Sequence, residues 1–83
     1  MATIETVKMV LGNTLQLGSR AQAFTASTPL LGSLPELDSM AVVSVITALE
    51  EHFDFIVHDD EISADTFQTL GSLSVFVDQK LSA

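Results

Sequence analysis

The most regular hydrophobic pattern in the chain runs over residues 39–53. Val42, Val45, Ile46, Leu49 and Phe53 recur at i, i+3, i+4, i+7 and i+11, one stripe at the helical period. The β-branched run Val42-Val43 to Val45-Ile46 also suits a buried strand, but length and period together predict a helix. Its opposite face reads Met40, Val43, Thr47, Glu50 and Glu51, so two apolar groups stand where water is expected. Upstream, Ile4, Val7, Leu11 and Leu15 predict a helix over 3–17, capped by Thr3 and stopped by Gly18. Residues 18–37 show no period and contain Gly18, Pro29, Gly32 and Pro35. A free connection of that length is uncommon in a small domain. The expectation is a packed loop with room for one short turn of helix, pinned to the core by Phe24, Leu30, Leu31, Leu34 and Leu37. Downstream, Ser63 is placed to cap a short helix through Phe67, with Asp65 in its first turn. Thr69 is placed to cap a last helix striped by Leu70, Leu73, Val77 and Leu81. The elements add up to an all-α chain of three longer helices, one short helix and one long loop.

Composition narrows what such a chain can do. Its 83 residues make one domain, 1–83, which buries roughly 60–65% of its unfolded surface and leaves little room for a deep catalytic cleft. Eleven acidic against three basic residues give a net charge of −8 and a pI near 4.2. That balance argues against nucleic acid, whose phosphates are held by Lys and Arg, and against anionic lipid. With 47% apolar residues and a mean hydropathy of +0.42, the chain is no disordered acidic tail. The uncharged run of the central helix, Ser39 to Leu49, is far short of the ~20 residues a spanning helix needs, so no membrane insertion is expected. The start Met1-Ala2-Thr3-Ile4-Glu5 lacks the basic and apolar stretches of a secretory leader, and the expected location is the cytoplasm. The charge is unevenly placed. Glu5, Glu36, Lys8 and Arg20 cancel over residues 1–37, so the whole negative field belongs to residues 38–83. Such a field keeps a protein soluble, and it can also steer basic partners to one face.

Candidate chemistry is sparse. His52 and His58 are the only imidazoles, in no spacing that suggests a catalytic triad or a zinc site. The absence of cysteine excludes thiolate ligands. The acidic loop Asp59-Asp60-Glu61 fails the calcium-loop pattern, having neither the turn glycine nor the closing acid. No catalytic residue and no metal site is assigned. One short segment carries more: Leu37-Asp38-Ser39-Met40, where the long loop meets the central helix. An Asp or Ser in that place is ordinarily an N-cap. If Asp38 supplies the cap, the Ser39 hydroxyl is released and points outward at a helix start. Unsatisfied N–H groups and a partial positive charge there suit an attached phosphate.

Asp38-Ser39-Met40, the apolar stripe, and then Ala48-Leu49-Glu50-Glu51-His52-Phe53 resemble the acyl carrier proteins and the related peptidyl carriers. The family motif is Asp-Ser-Leu, followed by a helix ending in Leu-Glu-Glu-x-Phe. The stretches Ile62-Ser63-Ala64-Asp65-Thr66-Phe67 and Thr69-Leu70-Gly71-Ser72-Leu73 look like the family's third helix and the start of its fourth. The resemblance implies a four-helix bundle of acyl-carrier type. In it Ser39 carries a 4′-phosphopantetheine arm, supplied from coenzyme A by a magnesium-dependent phosphopantetheinyl transferase. Acyl groups ride on the arm as thioesters. Catalysis belongs to acyl-loading and acyl-transferring partners with basic docking faces, which meet Met40, Val43, Glu50 and Glu51 on a monomeric carrier. The resemblance further implies that an acyl chain can slip between the central helix and the short helix near residues 62–67.

Three departures from the family pattern stand out. Glu36 replaces a glycine often found two residues before the Asp. Met40 replaces Leu. Ala41 and Ser44 stand where fatty-acid-synthesis carriers often have acids. The thinned acidic patch points to a carrier dedicated to a specialised lipid or secondary-metabolite pathway. An aminoacyl or peptidyl carrier, and an unmodified acidic helical module that binds a basic partner, are the alternatives.

Overall fold

The structure, a computed structural model, describes residues 3–82. Met1 and Ala2 of the N-terminal reading, Ala83, and the side chain of Asp59 in the acidic loop lie outside the described residues. Three α-helices form: α1 (Thr3–Thr14), α2 (Ser39–Phe53) and α3 (Leu70–Ser82), with 3₁₀ segments at Gly18–Ala23 and Asp59–Glu61. α1 packs against α2, α3 and the first 3₁₀ segment. This is the expected all-α bundle with a long loop between its first two helices. Its short third position, Ser63–Gln68, is held by two i→i+3 turns, from Thr66 N–H to the Ser63 carbonyl and from Gln68 N–H to Asp65. Ser63 does not cap it through its side chain onto a backbone N–H; its hydroxyl meets the Thr66 hydroxyl at 3.5 Å.

The stripes reach the core as the periodicity requires. Val7 and Leu11 of α1, Val45 and Leu49 of α2, and Leu70, Leu73 and Val77 of α3 are all buried, with Phe67 beside them at 2% exposure. Val42, Ile46 and Phe53 pack at the edge of that cluster. α2 has the limits its pattern predicts, and β-branching does not turn it into a strand. The long loop is packed as well, through buried Leu17, Ala21, Leu30, Leu34 and Leu37.

Several local expectations are corrected. α1 ends at Thr14, short of residue 17, because Gln16 adopts a left-handed conformation (φ 57°). Leu17 N–H then bonds back to the Gly12 carbonyl at 2.9 Å, the 6→1 closure of a helix C-terminus. Gly18, expected to stop the helix, begins the 3₁₀ segment instead. Thr3 lies within α1 and donates its hydroxyl to Asp78 of α3, tying the two helices rather than capping the first. Leu31 and Leu81, expected in the core, are exposed. Thr69 does cap α3: its hydroxyl accepts Ser72 N–H at 3.1 Å, and the Ser72 hydroxyl accepts Thr69 N–H at 3.0 Å.

The two faces of α2 make an internal comparison possible. Leu49 is 1% exposed and Val43 61%. Leu49→Ala is expected to cost about 2–5 kcal/mol, through lost burial and the cavity left behind. Val43→Ala is expected to stay within about 0.5 kcal/mol of wild type. Urea denaturation of both variants checks this, and equal losses would mean that α2 is rotated from the face described.

Candidate functional site

The site is built on the start of α2. Asp38 is extended (φ −98°, ψ −174°), and its carboxylate accepts Ala41 N–H at 2.8 Å. Its carbonyl accepts the first helical bond, from Val42 N–H at 2.9 Å. Asp38 is therefore the cap, and the neighbouring Ser39 is the first residue of the helix proper. Ser39 is exposed, and its hydroxyl makes no hydrogen bond among the described residues. The first-turn N–H groups that Asp38 does not reach face outward with the positive end of the helix dipole.

Two devices fix the chain as it enters this helix. Leu34 and Leu37 are buried beneath it, and Leu37 N–H bonds to the Leu34 carbonyl at 3.0 Å. On the outside, Arg20 of the first 3₁₀ segment donates to Glu36 from both terminal guanidinium nitrogens. The Arg20 hydrogen bond holds the Glu36 carboxyl below the ordinary carboxylate range. The acid that stands in place of the family's glycine thus ties the long loop together two residues before the cap.

A cleft of about 390 Å³ opens beside Ser39. Asp38, Ser39 and Val42 form one side of it and Ile62, Ser63 and Ala64 the other, with Leu31 and Phe67 completing it. Its wall is therefore the junction expected between the central helix and residues 62–67. Leu31 was not expected there. A leucine in an aperiodic loop carries no signal that separates core from cleft, and only the tertiary placement reveals it. A larger depression of about 590 Å³ lies between α1 and the first 3₁₀ segment, around Lys8, Met9 and Gly12. It contains none of the predicted site residues, so volume alone is a poor guide to this molecule.

Met40 and Val43 flank Ser39 on the outer face of α2, and Met40 is 77% exposed. Ser44 and Thr47 on the same face turn their hydroxyls back onto the carbonyls of Met40 and Val43. Glu50 and Glu51 sit three turns further on, roughly 16 Å along the axis. Glu51 is exposed, whereas Glu50 is half-buried and accepts Val57 N–H at 2.7 Å. One of the two predicted docking carboxylates thus has an internal task, holding the loop that leaves α2. The helix itself ends on Asp54 in a left-handed conformation (φ 58°), which Asp tolerates better than most residues. His52 and His58 are exposed and belong to no potential metal cluster among the described residues.

A small helical bundle that displays one unengaged serine at a helix start, beside an apolar cleft, has the form of a carrier domain. No protein-family model and no curated protein matches the chain. Two solved structures do. A holo acyl carrier protein from Nitrosomonas europaea is 64% identical, covers 100% of both chains and superposes with a TM-score of 0.93. A holo acyl carrier protein from Geobacter metallireducens is 22% identical, covers 99% of this chain and 88% of that one, and shares the fold with a TM-score of 0.78. On the first of these the chain belongs to the acyl carrier protein family.

The division of labour between Asp38 and Ser39 is directly measurable. Asp38→Ala is expected to cost about 0.5–2 kcal/mol by removing the cap. Ser39→Ala, which removes no internal hydrogen bond, is expected to be near neutral. Thermal denaturation of the two variants decides the point, and a larger loss for Ser39→Ala would assign the cap to the serine.

Proposed function

We propose that this protein is a non-catalytic carrier whose Ser39 hydroxyl bears a 4′-phosphopantetheine arm. The observation that carries the reading is the placement of Ser39: a free, exposed hydroxyl on a rigid helix end, at the rim of an apolar cleft, in an acyl carrier fold. The residues fit the group. The hydroxyl is the point of attachment, and the first-turn N–H groups and helix dipole favour the negative phosphodiester next to it. When bound, the arm supplies a terminal thiol on which acyl groups are held as thioesters. The chain's own residues do the rest. Asp38 fixes the helix start, Leu34 and Leu37 anchor it, and Val42, Ile62 and Phe67 offer apolar surface to an attached chain. The source of the arm is coenzyme A, through a phosphopantetheinyl transferase.

Partners with basic docking faces reach Ser39 across Met40 and Val43, and the −8 field of residues 38–83 steers their approach. Glu51 is the free carboxylate of this face, and Glu50 contributes its charge while bound to Val57. The carrier acts as a cytoplasmic monomer. The scarcity of acids along the first turns of α2, where Met40, Ala41, Val43 and Ser44 stand, supports a dedicated lipid or secondary-metabolite pathway over general fatty-acid synthesis.

The attachment is tested by mass. Incubation with coenzyme A, magnesium and a broad-specificity transferase is expected to add one phosphopantetheine unit to the wild type and none to Ser39→Ala. A wild-type mass left unchanged by several transferases would remove the carrier reading in favour of an unmodified interaction module.

The cargo is tested by stability. Each CH₂ that enters the cleft contributes about 0.8 kcal/mol, less the cost of opening it, and a tethered chain loses little association entropy. A medium-length acyl chain is therefore expected to raise the melting temperature above that of the holo form. If loading leaves it unchanged, the chain stays in solvent, and a short or aminoacyl cargo becomes the better reading.

A further inference from the structure

The wall of the cleft opposite Ser39 is hydrogen-bonded to the rest of the bundle at its two ends, and between them only Ile62 packs against the core. At its C-terminal end, the carbonyls of Phe67 and Gln68 accept N–H bonds from Leu31 and Leu30 at 2.9 and 3.0 Å, and the Thr66 carbonyl accepts the Ser72 hydroxyl at 3.0 Å. At its N-terminal end stands Glu61, with both carboxylate oxygens engaged. One accepts Lys80 Nζ of α3 at 2.7 Å and the other accepts His58 N–H at 2.8 Å. Between these anchors, Ile62, Ser63 and Ala64 make no hydrogen bond to another element among the described residues, and they are the residues that line the cleft.

We propose that the Lys80–Glu61 ion pair is a strap that fastens the free wall of the cleft, so that the last turn of α3 sets how readily an attached chain is exposed. Lys80 and Glu61 are positioning residues, acting through Ile62–Ala64 and not touching the cargo. The pair is built for the task. Both side chains are largely shielded from solvent, so the contact is screened less than a surface pair. Lys80 sits in the last turn of α3, where the helix dipole favours a cation. The bonds from Lys80 and His58 N–H hold the Glu61 carboxyl below the ordinary carboxylate range. A wall with few internal bonds opens locally at low cost, so a single charge-assisted contact at its end carries much of the control.

The effect on cargo rests on the proposed function, but the strap itself can be tested without it. In the unmodified protein, Lys80→Met keeps the apolar stem and removes the charge. Amide exchange over residues 60–66 is expected to quicken roughly three- to tenfold, the size of one part-buried charge-assisted contact. Val45 and Leu49 amides are expected to stay within about twofold, and Lys80→Arg to restore the wild-type rates. In the loaded protein, hydroxylamine is expected to cleave a medium-chain thioester faster in Lys80→Met than in wild type, with an acetyl thioester equally reactive in both. Unchanged exchange in Lys80→Met overturns the strap while the carrier reading stands. Equal hydroxylamine reactivity of medium-chain and acetyl thioesters in wild type overturns the cleft as cargo site, and the strap's role in cargo release falls with it.

Discussion

The bundle closes because the long loop hydrogen-bonds to the segment that leads into α3. Leu30 and Leu31 N–H reach the carbonyls of Gln68 and Phe67, and Leu70 and Gly71 N–H reach back to the carbonyls of Thr28 and Ala26. Among the described residues the only bridge is the isolated antiparallel one between Pro29 and Thr69, yet the pairing does three things at once. It gives acceptors to the first N–H groups of α3, which a helix start otherwise leaves unsatisfied. It buries Leu30 beside Phe67 and Leu70. It converts a loop of uncommon length into a fixed layer under the start of α2. The approach is so close that a Cβ at position 71 would lie 2.8 Å from the Ala26 carbonyl oxygen. Glycine is needed there even though it costs the helix about 1 kcal/mol relative to alanine.

The same pairing makes the cleft asymmetric. The α2 side is rigid, since Val42 belongs to a fifteen-residue helix whose Val45 and Leu49 are locked in the core. The other side hangs between the loop pairing at Phe67 and the Lys80–Glu61 contact. Rigidity where a group is attached and compliance where a chain is received both follow from where the backbone hydrogen bonds fall.

Charge on this molecule is similarly divided into what is spent internally and what is left to act at a distance. Asp38 caps α2, Glu36 holds Arg20, Glu50 holds the loop after α2, and Glu61 holds Lys80 and His58 N–H. Around Ser39 this leaves a bare apolar pair, Met40 and Val43, inside a wide negative field. A field reaches over about a Debye length and guides encounter, whereas an apolar contact acts only on touching. Approach and grip are therefore assigned to different residues.

Much of this was legible in the chain itself. The stripe from Val42 to Phe53 set the limits of α2, the Asp38-Ser39-Met40 junction marked the site, and Thr69 announced the cap of α3. Each depends on neighbours within a turn or two, and such short-range physics is written locally. The end of α1 differs from its pattern because Gln16, two residues before the left-handed Gly18, already turns left-handed and lets Leu17 N–H close the helix onto Gly12. Leu31 and Leu81 read as core leucines and Glu50 as a docking acid, and no local pattern gives Lys80 a role. Their roles were decided by partners far along the chain: the cleft for Leu31, Val57 for Glu50, Glu61 for Lys80. The sequence determined the helices and the attachment point because periodicity and capping are local. The cleft, its compliant wall and the employment of most of the acids near the site were decided by the tertiary structure alone, because they exist only where segments distant in sequence meet.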